Sequence, residues 1–131
     1  MKNRNTEFLK LREPQIGETS SQTSTEELFQ NKTLRPILKL QNDLFIQVFI
    51  QYSKKQKSVF FNLSNAKKEI YIENALLKDF KFRDFLLGII VGLFTTDEFK
   101  EYTLMTSSLH KRIIAMLQER LKSQLDLLIE N

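Results

Sequence analysis

The sequence predicts an all-α protein, a compact helical bundle of about four main helices behind a flexible N-terminal arm. Three observations point there. After residue 33 the apolar residues recur at three- and four-residue intervals, the spacing of one helix face. Residues that cap helix starts precede the apolar stretches, at Ser24, Thr33, Ser64 or Asn65, Asp79 and Thr95. No segment alternates apolar and polar residues for long, and with 3 Gly, 2 Pro and no Asn-Gly pair the chain lacks hairpin signals.

In chain order, residues 1–25 read as the arm. Pro14, Gly17 and the polar run 18–25 offer little to bury against the entropy of ordering. Its apolar cluster is Phe8, Leu9, Leu11 and Ile16, able to dock on the domain or on a partner. Residues 26–131 read as the helical domain. Ser24 with Glu27 fits a capping box for a short first helix. Thr33 fits the cap of a second helix running to about Ser53, since Pro36 then falls in the first turn, where a missing N–H does no harm. Ser64 or Asn65 starts a more polar helix to about Lys78, and Asp79 starts one that is apolar nearly all round, which belongs at the centre of the bundle. Thr95 and Glu98 form a second capping box ahead of a long final helix, open to interruption at Thr106, Ser107 and Ser108.

Composition bounds the function. A chain of 131 residues that is 41% hydrophobic with 11 Phe can build one sizeable core. With no Cys there is no disulfide framework, thiolate nucleophile or zinc-thiolate site. The N-terminus lacks a signal-peptide core, so the expected location is cytoplasmic. The longest apolar run, 85–94, is about half of what a membrane-spanning helix needs, so no membrane association is expected. A net charge of +4 permits nucleic-acid binding without requiring it.

Few residues suggest chemistry. His110 is the only histidine, and the residue three before it is Ser107 rather than Glu, so the Glu-x-x-His spacing of di-iron bundles is missing. The carboxylate pairs Glu69/Glu73 and Asp97/Glu101 read as a solvated face and a helix start. No phosphate-binding glycine loop is present. These readings leave no catalytic residue, metal ligand or cofactor to name. Gly88 and Gly92 form a Gly-x-x-x-Gly pair, read as close packing inside the bundle or as a face for homo-oligomers. Lys54, Lys55, Lys57, Lys67 and Lys68 flank Phe60 and Phe61, a mixture of cations and aromatics suited to RNA.

Residues 27–46, ELFQNKTLRPILKLQNDLFI, and 76–100, LLKDFKFRDFLLGIIVGLFTTDEFK, resemble a group of small uncharacterised bacterial proteins that often carry an automatic glyoxalase label. The resemblance implies a bacterial setting. The label would imply mixed strand and helix modules holding a divalent metal through His, Gln and Glu. This chain has one His and no strand pattern, so no ligand position carries over. The leading expectation is a non-catalytic protein-interaction module whose arm docks on a partner through Phe8, Leu9, Leu11 and Ile16. An RNA- or ribosome-associated basic helical protein is the second reading, and an enzyme of the labelled class the third.

Overall fold

The structure, a computed structural model, describes residues 3–12 and 24–130, and its regular elements are all helical. They are α1 (Arg4–Lys10), α2 (Thr25–Phe29), α3 (Arg35–Leu40), α4 (Asn42–Lys55), α5 (Asn65–Lys78), α6 (Phe80–Val91), α7 (Thr96–Thr103) and α8 (Thr106–Lys122). A π turn, Gln30–Leu34, joins α2 to α3, and 3₁₀ turns occupy Val59–Asn62 and Leu125–Leu127. The all-helical class therefore holds, but the helices are more numerous and shorter than the expected four or so.

Local chemistry accounts for the extra boundaries. Thr33 does not cap a helix. It lies inside the π turn, where the Arg35 N–H donates to the Gln30 carbonyl five residues back. The cause stands one residue on: Pro36 has no N–H for the Lys32 carbonyl, and its ring would collide with that oxygen in a regular α-helix. Widening one turn relieves both problems and lets α2, the π turn and α3 run on as one helical stretch.

The expected helix to Ser53 breaks at Gln41, whose backbone (φ −93°, ψ 5°) leaves the α region. Beyond it the Asn42 and Gln124 side-chain amides exchange hydrogen bonds of 2.7 and 2.9 Å. The expected long final helix breaks at Leu104 and Met105, between α7 and α8. There the Thr103 hydroxyl donates to the Lys100 carbonyl at 2.7 Å and the Thr106 hydroxyl to the Tyr102 carbonyl at 3.3 Å. The first takes up a carbonyl that the backbone no longer uses, and the second adds to the Met105 N–H that already donates to the Tyr102 carbonyl at 3.0 Å.

The described chain packs as two compact units, one within Met1–Gln41 and Leu87–Ile113, the other within Asn42–Leu86 and Ile114–Asn131. Residues 26–131, read from sequence as one domain, contribute to both. The first unit buries Phe29, Leu34, Ile37, Leu38, Phe94, Leu109 and Ile113, with Phe94 edge-on to Phe29 at 5.5 Å between ring centres.

The second unit is organised by rings. Phe49, 1% exposed, has Phe60, Tyr52, Phe82 and Tyr71 at centroid distances of 5.2, 6.0, 6.1 and 6.3 Å. Phe60 reaches this cluster because the chain reverses sharply after α4. Lys57 and Ser58 adopt left-handed φ values of 65° and 59°, and the Ser58 N–H returns to the Ser53 carbonyl at 3.0 Å. That is the long hydrogen bond of a Schellman ending, with Lys57 in the place glycine usually takes.

Helix α6 is not enclosed as expected. Phe82, Leu86, Leu87 and Ile90 are buried, but Phe80 and Phe85 are 60% and 58% exposed, and Gly88 and Gly92 are exposed as well. A Cβ added at Gly88 would meet nothing within 4 Å, so the glycine is not there to admit a neighbouring helix. At Gly92 an added Cβ would lie 3.0 Å from the Gly88 carbonyl.

Two outcomes follow for stability. Phe49→Ala removes the ring shared by four aromatic contacts and should cost about 3–5 kcal/mol, read from the urea midpoint. Gly88→Ala should instead stabilise by up to about 1 kcal/mol, because it adds helix propensity where space is open. A destabilised G88A protein would mean that this face is covered.

Candidate functional site

The most elaborate polar arrangement in the first unit surrounds the turn between α6 and α7. A helix end leaves carbonyls free, a helix start leaves amides free, and here the two lie a few residues apart. The segment containing α1 satisfies both kinds. Arg4 donates to the Phe94 and Gly92 carbonyls at 2.8 and 3.0 Å, and Arg12 donates to the Leu93 carbonyl at 2.9 Å. Cations at a helix C-terminus also complement its dipole. On the other side of the turn, Asn5 accepts from the Thr96 N–H at 3.0 Å and donates to the Thr96 hydroxyl at 2.8 Å.

Glu98 completes the site. It is the third residue of α7's capping box: the Thr95 hydroxyl accepts from the Glu98 N–H, and a Glu98 oxygen accepts from the Thr95 N–H at 2.8 Å. Arg12 makes a two-pronged ion pair with the same carboxylate at 2.6 and 2.7 Å, and the Thr33 hydroxyl donates to it at 2.9 Å. Both charges are sheltered, with side-chain exposures of 6% for Arg12 and 14% for Glu98. Burial pushes the Glu98 pKa up. The hydrogen bonds from Arg12, Thr95 and Thr33, with the charge of Arg12, more than offset this and hold it below its ordinary value.

The arm residues thus divide by polarity in the opposite sense to an ordinary docked segment. Arg4, Asn5 and Arg12 face the chain, whereas Leu9 and Leu11 are 52% and 54% exposed. Phe8 is half-buried with the Arg4 guanidinium 4.3 Å above its ring. Ile16 lies outside the described residues. Nothing in the sequence singled out Arg4, Asn5 or Arg12; only the Thr95–Glu98 capping signal pointed toward the place they meet.

The sequence-predicted basic set lies in the second unit and does not form a platform with Phe60. That ring is fully buried, with Lys68 Nζ 5.4 Å from its centre, while Phe61 is half-buried and Lys55, Lys57 and Lys67 are exposed. Lys54, also of that set, is half-buried and engaged in an interaction of its own. His110 Nε2 shares a hydrogen bond with the Tyr102 hydroxyl, and Glu73 pairs with Lys122. Among the described residues no group of three or more His, Asp or Glu side chains is placed to hold a metal ion. Among them, too, no helix is long and apolar enough to cross a membrane. No protein-family model, curated protein or solved structure matches this chain.

Glu98→Gln tests the clamp selectively, since the glutamine oxygen in the Oε1 position still accepts from the Thr95 N–H and the capping box survives, while the Thr33 hydroxyl can turn to accept from the amide in the Oε2 position. It should cost up to about 3 kcal/mol at neutral pH, because Arg12 is left sheltered without its counter-charge. The folded pKa of Glu98 lies below the ordinary 4.5, so the ion-pair stabilisation is complete above about pH 5 and is lost as pH falls through the folded value. The gap in urea midpoint between wild type and E98Q should accordingly narrow as pH falls below 4.5 and close once the folded carboxyl is protonated. A gap unchanged across this range would show that charge contributes nothing there.

Proposed function

We propose that the protein is a non-catalytic interaction module whose docking edge is helix α1. The observation that carries this reading is the polarity of that helix. The long-range polar bonds of this segment are made by Arg4 and Asn5 of α1, with Arg12 just beyond its end, while Leu9 and, just past the helix, Leu11 keep more than half their surface in solvent. Apolar side chains held outward on a pinned helix are presented at little entropic cost, since the backbone is already ordered before a partner arrives. In helix-in-groove recognition, such side chains fill apolar pockets on the partner while polar neighbours form the rim.

The pinning also determines which variant is informative. Deleting the arm removes the Glu98 ion pair along with the leucines, so it would alter stability and recognition together. The double variant Leu9→Ser, Leu11→Ser leaves Arg4, Asn5 and Arg12 in place. Its unfolding free energy should match wild type within about 0.5 kcal/mol, as for exposed positions generally. In affinity purification from its native cells, the tagged variant should lose a protein partner that the wild type retains. An unchanged set of partners would overturn the reading, as would a large fall in stability, which would show that the leucines serve the fold.

A further inference from the structure

A second region, independent of the arm, has the chemistry of a ligand site. In the second unit a cleft of about 540 Å³ opens where α5 gives way to α6, a size within the range of small-molecule sites. Its aromatic surface comes from Tyr52, Tyr71 and Phe80, its cations from Lys78 and Lys81, and its amides from Gln56 and Asn74.

Most of the scaffold behind this lining is internally satisfied. Tyr52 stacks on Phe82 with ring centres 3.9 Å apart, and its hydroxyl donates to Asp79 Oδ2 at 2.9 Å. The other Asp79 oxygen accepts from the Phe82 N–H at 3.2 Å, capping α6. The one acidic side chain of the lining is therefore occupied on both oxygens.

The remaining polar groups are not. Lys78 and Lys81 make no ion pair among the described residues, and the side chains of Gln56 and Asn74 make no hydrogen bond among them. Phe80 is 60% exposed at the mouth, with the Arg83 guanidinium 4.5 Å above its ring centre. Buried placement would explain a large aromatic on α6, and a solvated face would explain lysines. Neither explains why an exposed phenyl ring, two cations and two amides, the last four without a side-chain partner among the described residues, converge on one cleft.

These groups match the parts of a nucleotide. Aromatic faces stack on any base, Asn and Gln amides match the donor–acceptor edge of a base, and lysines hold phosphate. We propose that the cleft binds the base-and-phosphate unit of a nucleotide, with Phe80 and Tyr71 against the base, Gln56 and Asn74 toward its edge, and Lys78 and Lys81 on the phosphate. Such a unit comes either as a free mononucleotide or within a single strand of RNA. The lysines concerned differ from the cluster at 54–57 and 67–68, whose neighbouring Phe60 is buried.

The test is a titration of the ¹⁵N-labelled full chain at low salt with AMP, with a single-stranded oligoadenylate, and with inorganic phosphate, following backbone amide shifts. The expected result is saturable shifts confined to residues around 52–56 and 71–83 with AMP, with the oligoadenylate, or with both, and much weaker ones with phosphate. AMP binding as tightly as the strand identifies a mononucleotide site, and strand binding alone identifies RNA; either supports the proposal. Lys78→Glu with Lys81→Glu should weaken binding ~10-fold or more, and Phe80→Ala roughly fivefold or more. Both variants alter exposed side chains, and an unchanged urea midpoint checks their folding. No shifts with either nucleotide probe, shifts elsewhere, phosphate binding as tightly as AMP, or folded variants that bind like wild type would each overturn the proposal.

Discussion

The Glu98 carboxylate has two oxygens with room for four donors, and four converge on it: two from Arg12, one from the Thr33 hydroxyl and one from the Thr95 amide. Each donor belongs to a different structural decision. Thr95 is the start of α7, Thr33 is the π turn that Pro36 imposes, and Arg12 is the segment that carries α1. A sheltered carboxylate is costly unless fully hydrogen-bonded, so each of these elements relieves a penalty that the others create. The same logic extends along the turn, where Arg4 and Asn5 take the carbonyls and amide that α6 and α7 leave unused. The first unit is held at this corner by polar saturation as much as by apolar burial.

The second unit shows a different economy. Phe60 and Tyr71 stand edge-on to Phe49 and Tyr52 stacks on Phe82, arrangements favoured by the ring quadrupole, while Tyr52 and Phe82 meet Phe49 at tilted angles. The left-handed pair Lys57 and Ser58 supplies the reversal that brings Phe60 into the cluster. Asp79 then links this core to the surface, since one of its oxygens caps α6 while the other holds the Tyr52 hydroxyl. Burial, the hydrogen bond to Asp79 and the Asp79 charge all push the Tyr52 pKa upward, so its proton stays in place to make that bond.

Both functional readings rest on a separation between groups the fold consumes and groups it leaves over. In α1 the polar side chains are consumed and the leucines remain. In the cleft the carboxylate and the tyrosine hydroxyl are consumed, while the lysines, amides and an exposed ring remain. Surface leucines scattered singly are ordinary; what distinguishes Leu9 and Leu11 is a segment already pinned by Arg4, Asn5 and Arg12.

The sequence by itself determined the helical class and four of the eight helix starts. Caps at Ser24, Ser64, Asp79 and Thr95 act through hydrogen bonds from amides three residues on, so the information is local. It did not determine where Thr33 would act, because a threonine before Pro36 can cap a helix or sit in a widened turn, and the Glu98 carboxylate 65 residues away settles the choice. Nor could periodicity show that Phe80, Phe85, Gly88 and Gly92 are exposed, since a helix apolar all round does not reveal which side its neighbours will cover. The candidate site was legible only in its Thr95–Glu98 capping signal. Arg4, Asn5 and Arg12 look like any charged and polar residues of a soluble arm, and their partners are backbone groups some 80 to 90 residues distant in the chain. Tertiary structure decided which free helix-end groups needed partners and which side chains came within reach, and the division between arginines bonded to the chain and leucines left in solvent follows from that.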